Sequence, residues 1–104
     1  MKRGDVWWAE HPDEGRRPVC ILTRTPAIPV LNRVLVAPLT RTIRSIPTEV
    51  LVDTEDGIPV ESVVALDNVS VVRKGALTEL ITTLTPPKME AVCRALATAV
   101  DCRA

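Results

Sequence analysis

One guanidinium in this chain is set by its neighbours to meet phosphate. In Gly15-Arg16-Arg17-Pro18-Val19-Cys20-Ile21-Leu22 a charged turn runs straight into an apolar strand. Pro18 fixes its own φ and pushes Arg17 toward extended backbone. Arg17 is thus expected where the chain enters the core, with its guanidinium held nearly in one place. A planar, permanently charged group with five donors suits phosphate oxygens. A solvated turn arginine is the other reading these residues allow. His11, the sole histidine, has a pKa suited to proton transfer but lies in a polar loop where plain exposure explains it equally. Glu10, Asp13 and Glu14 divide in the same way between general base and solvated charge. Arg24, Arg41 and Arg44 are either phosphate contacts or surface charges.

Composition narrows the chemistry. The 104 residues include Trp7 and Trp8 but no Phe or Tyr, so aromatic platforms for stacking bases are nearly absent. The core must come from Val, Leu, Ile and Ala. Net charge is zero, yet residues 1–52 carry eight Lys/Arg against five Asp/Glu and residues 53–104 five against eight. Seven of those first eight are arginines, which favours phosphate recognition. Cys20, Cys93 and Cys102 are odd in number and lack CxxC spacing, so neither a metal site nor a disulfide framework is expected. No cofactor motif stands out: the four glycines are scattered and form no phosphate-cradling loop. Apolar runs are only strand-length and no signal-peptide core is present, which predicts a cytoplasmic protein without a membrane segment.

The elements that must carry these residues are short. Strands are expected at Arg3–Ala9, Val19–Thr23, Arg33–Leu39, Glu49–Val52, Val63–Leu66 and Val69–Val72, with His11–Arg16 a loop long enough to act as a flap. Trp7 and Trp8 should face opposite ways, one to the core and one to a groove or dimer wall. The period then changes. Thr85 as N-cap and Pro86 at the first helical position open a helix. Its apolar stripe is Met89, Val92, Cys93, Leu96 and Val100, with Glu90 and Arg94 paired outside. Five or six strands and one late helix predict a single domain, residues 1–104, mainly β, built as a small, partly closed antiparallel barrel.

Five segments together resemble the MazF/PemK/Kid family of toxin endoribonucleases. They are Arg3-Gly4-Asp5-Val6-Trp7-Trp8, Arg17-Pro18-Val19, Val36-Ala37-Pro38-Leu39-Thr40, Ile46-Pro47-Thr48-Glu49-Val50 and Val64-Ala65-Leu66-Asp67-Asn68. The resemblance implies an SH3-like barrel, a homodimer, and metal-independent cleavage of single-stranded RNA at short sequences. It also implies a cognate antitoxin whose tail occupies the RNA groove. By position, Arg17 matches the catalytic arginine, Thr40 the catalytic threonine and Asp67-Asn68 a pair that contacts RNA, a turn-forming Asp-Asn being the other reading of the last; Arg16, Arg24, Arg41 and Pro47 are expected as further RNA contacts. Asp67-Asn68 stands where the family usually has Glu-Gln, each side chain shorter by one methylene. Ser70 replaces a common arginine, and the loop lacks the usual Gly-Ser-Glu. The chemistry implied is attack of the ribose 2′-oxygen on the adjacent phosphorus, needing positioning and charge stabilisation more than a protein nucleophile. A non-enzymatic toxin of the same barrel, poisoning a protein such as DNA gyrase, is the alternative, and an inactive RNA-binding barrel is a third.

Overall fold

Alternate residues of one short apolar run face two different cores, which is why that run is unbroken. The computed structural model describes residues 1–102; the last two positions of the expected domain lie outside the described residues. Seven strands are formed: β1 Asp5–His11, β2 Gly15–Ile21, β3 Arg33–Thr40, β4 Glu49–Val52, β5 Ser62–Ala65, β6 Ser70–Arg73 and β7 Leu77–Thr83. One helix follows, α1 Pro86–Ala99. All pairings are antiparallel, in the order β4-β5-β3-β2-β1-β7, with β6 on β3. This is the expected mainly-β, SH3-like barrel with a C-terminal helix, open between β4 and β7.

In β2, Cys20 points into a core shared with Val6, Leu39, Val64, Leu66 and the α1 residues Met89, Val92 and Ala95. Val19 and Ile21 point the other way, toward Ile28, Val34, Val36 and Leu77. A strand covered on both faces reads as continuous apolar sequence instead of alternation. The segment Pro26–Pro29 forms part of a 3-10 turn, Thr25–Val30, that buries Ala27 and packs Ile28 into this second core.

Several expectations need correction. Strand β7 was not anticipated. Its pairing with β1 shifts register at Val6/Trp7 and again at Trp8/Ala9, and such bulges erase a period of two. His11–Arg16 is not a flap: β1 runs through His11 and β2 starts at Gly15, whose φ of +73° closes a tight hairpin. Arg17 therefore lies within a strand. In α1 the buried face is Met89, Val92 and Ala95, while Cys93 is exposed and Val100 falls at the C-cap. Thr85 is the N-cap residue but makes no side-chain capping bond; Pro87 leaves no N–H for it at the second helical position. Glu90 and Arg94 are not among the ion pairs of the described residues, which are Arg16–Glu79 and Lys88–Asp56.

The opening Gly4-Asp5 works as a staple. Asp5 is buried, and its carboxylate accepts hydrogen bonds from the Lys2 N–H (2.9 Å), Thr83 Oγ1 (2.7 Å) and Trp7 Nε1 (3.3 Å). One side chain thus ties the N-terminus to β1 and β7. Lys88 performs a similar task from α1, donating to the Leu51 carbonyl of β4 (3.0 Å) and pairing with Asp56 (3.4 Å).

Candidate active site

Strands β2 and β3 pair as Val19↔Pro38, Cys20↔Ala37 and Ile21↔Val36. The ladder ends at Val19↔Pro38, and Arg17 and Thr40 lie two residues past that last pair, each on its own strand. Both line one groove of about 570 Å³. Its other walls are Trp8 and Pro18 on one side, and Ile58, Pro59, Val60 and Ser62 from the β4–β5 connection on another. Arg16, Arg41 and Thr42 complete it.

The groove is cationic, with apolar walls and no acid among its lining residues. Arg16, Arg17 and Arg41 reach it, whereas no Asp, Glu or His among the described residues lines it. Arg16 is pinned: its guanidinium stacks over the Trp8 ring, 4.3 Å from the centroid, and pairs with Glu79 at 3.4 Å. Arg17 is exposed and makes no ion pair or side-chain hydrogen bond among the described residues. Its backbone is fixed by the strand, but its guanidinium is not held by partners as the sequence suggested. Thr40 is half-buried, and its Oγ1 accepts the Thr42 N–H at 3.1 Å. With a lone pair so engaged, the hydroxyl hydrogen remains available to donate. The groove can therefore offer a phosphodiester an unpaired guanidinium and an oriented hydroxyl.

The remaining candidates lie elsewhere. Arg24 precedes the Thr25–Val30 turn and does not line the groove. Pro47 lines a separate cleft between β4 and α1. Asp67 and Asn68 are exposed in a 3-10 turn, Leu66–Asn68, where Asp67 Oδ2 accepts the Thr48 hydroxyl at 2.6 Å. Arg44 contributes its backbone N–H to Glu49. His11 sits at the hairpin and accepts the Asp13 N–H on Nδ1 at 3.2 Å, outside the groove. The two tryptophans divide as expected: Trp7 packs against the second core, and Trp8 walls the groove. Sequence reasoning missed Thr42 and the wall Ile58-Pro59-Val60. The latter approaches only through tertiary folding, and no local spacing marks it.

Cys20 is fully buried, and burial pushes its thiol up to about 12, Arg3 nearby lowering it and Asp5 raising it. It is an inert core group with no place in the groove.

A sequence model of the PemK-like, MazF-like toxins of type II toxin–antitoxin systems matches residues 2–100. The chain is 48% identical over 101 residues to a probable endoribonuclease MazF5 of Mycobacterium tuberculosis, covering 96% of this chain and 93% of that protein. Among solved structures it is similar to the Mycobacterium tuberculosis toxin MazF-mt6, with a TM-score of 0.89, 35% identity, and coverage of 96% and 99%. It is also similar to an endoribonuclease in complex with its cognate antitoxin from a mycobacterial species, with a TM-score of 0.91, 28% identity, and coverage of 100% and 98%. A match over nearly the whole chain, on a barrel whose groove gathers Arg17 and Thr40, places this protein in the PemK-like, MazF-like toxin family of type II toxin–antitoxin systems.

Proposed function

We propose that this chain is a cytoplasmic endoribonuclease toxin that cuts single-stranded RNA without a metal, and that a cognate antitoxin neutralises it. The observation that carries the reading is the sharing of one acid-free groove by Arg17 and Thr40. RNA brings its own nucleophile: the 2′-oxygen attacks the adjacent phosphorus as its proton passes to solvent water, the P–O5′ bond breaks, the 5′-oxygen takes up a proton that solvent restores to the donor, and the ends are a 2′,3′-cyclic phosphate and a 5′-hydroxyl. Arg17 holds the non-bridging oxygens as charge grows on them, and Thr40 donates a further hydrogen bond from its free O–H. Arginine stays protonated at neutral pH and is no general base, so Arg17 acts by charge and, at the leaving oxygen, as a proton donor. Arg16 and Arg41 hold flanking phosphates.

A homodimer completes the proposal. Leu35 and Val71 stand opposite each other on β3 and β6, both exposed, and Val30 is 81% exposed. Apolar surface of this kind suits a second copy. Endoribonuclease names among the relatives favour RNA cleavage over gyrase poisoning.

The test uses purified protein and single-stranded RNA in EDTA. Cleavage is expected, with no cut where the scissile ribose lacks its 2′-hydroxyl. Arg17→Ala should lower the rate by about 10²-fold or more, with the melting temperature unchanged because the side chain is exposed and unpaired. Activity lost to EDTA, or toxicity that survives Arg17→Ala, would overturn the reading.

A further inference from the structure

Residues 41–48 leave the groove at Arg41 and Thr42 and return at the start of β4. They include no strand or helix. Glu49, the first residue of β4, ties this segment down. Its Oε1 accepts the backbone N–H groups of Arg44 at 2.9 Å and Ser45 at 3.1 Å. Its own N–H donates to the Ile46 carbonyl at 3.1 Å. Ser45 adopts φ 56°, a left-handed conformation of the sort that turns successive N–H groups toward one anion. The other oxygen, Oε2, is buried and has no hydrogen-bond partner among the described residues. A half-satisfied buried carboxylate costs the fold stability. Across the sheet from it stands Ala65, so strand pairing does not call for an acid there; the loop does.

We infer that Glu49 is a positioning residue for RNA cleavage. Its carboxylate sets the path of residues 41–48 and thereby delivers the Arg41 guanidinium to the groove. The inference rests on reading the groove as the RNA-cleaving site. The Thr40 hydroxyl has a tie of its own, to the Thr42 N–H, whereas the Arg41 side chain has no hydrogen-bond or ion-pair partner among the described residues and follows the course of the loop that Glu49 holds. Loss of Glu49 should therefore disturb Arg41 and RNA binding more than the hydroxyl at Thr40 and the chemical step.

Steady-state cleavage of a single-stranded RNA by the wild type, Arg17→Ala, Glu49→Ala, Glu49→Gln, Arg41→Ala and the Arg41→Ala/Glu49→Ala double variant tests this, with a melting temperature for each. Glu49→Ala should raise KM about tenfold while kcat stays within about threefold. Glu49→Gln keeps an oxygen for the two amides and should hold KM within about threefold of wild type. The double variant should be no worse than Arg41→Ala, since both changes remove one contact. Should Glu49→Ala fail to fold, Glu49→Asp carries the same expectation: it keeps the charge but falls one methylene short of the amides. Wild-type KM in the folded Glu49 variant, or effects that simply multiply in the double variant, would overturn the inference. A wild type that does not cleave, or an Arg17→Ala variant as active as wild type, would instead refute the underlying reading of the groove.

Discussion

Arg16 and Arg17 are adjacent on β2 and are held in opposite ways. Arg16 lies on Trp8 and meets Glu79, an exposed arrangement that contributes little to stability. Arg17 has no such partner among the described residues, so its charge is uncommitted until a ligand arrives. Asp5 is the reverse case, a buried carboxylate fully engaged by Lys2, Trp7 and Thr83. Asp5→Ala should lower unfolding free energy by about 3 kcal/mol, since three donors lose a charged acceptor in a buried place. Denaturant midpoints measure it, and activity per folded molecule should be unchanged. Of these residues, Arg17 was legible because Pro18 restricts its backbone. The role of Asp5 was not, because Thr83 lies 78 residues along the chain.

Elements decide which side chains share the groove. The β4–β5 connection supplies the wall Ile58-Pro59-Val60, and its path is fixed from several sides. Asp53 and Asp56 form a capping box on the turn Thr54–Asp56, Gly57 follows at φ 87°, and Thr82 donates to the Asp56 carbonyl at 3.0 Å. A Cβ on Gly57 would collide with the Thr82 side chain in a left-handed backbone conformation. Gly57→Ala should therefore cost about 2 kcal/mol or more and lower the melting temperature, by strain and overpacking together. It should also impair RNA cleavage by moving the wall. Strands β1 to β6 were readable from apolar runs between breakers, β2 only from Val19 onward. Strand β7 was hidden by its bulged register, and the helix face by a stripe rotated off the buried one, which took in the exposed Cys93 and Val100 and left out Ala95. The groove itself was half legible: Arg17, Thr40, Arg16 and Arg41 follow from motifs. Arg24, Pro47, Asp67 and Asn68 end on other surfaces because sequence proximity to a strand end does not say which side of the barrel the turn takes.

For the molecule as a whole, the two cores meet at β2, and Cys20 lies inside the one covered by α1. Its thiol is raised to about 12 from the ordinary 9.0. Unfolding therefore releases a proton once pH exceeds that ordinary value, and the native state, still protonated, loses stability as pH rises from about 9 toward 12. Melting temperatures of the wild type should fall more steeply over this alkaline range than those of Cys20→Ala, whose absolute stability is lower from the cavity it leaves. Equal slopes would mean that Cys20 is not the group responsible. The chain has no tyrosine to confuse the comparison.

An open barrel leaves two sheet borders, and unpaired borders invite other chains to add strands and grow into fibres. On β4 that invitation is partly withdrawn: the Lys88 ammonium already occupies the Leu51 carbonyl and places a cation beside a strand of four residues. The helix that covers the core thus also blunts one border of the sheet as a template for added strands.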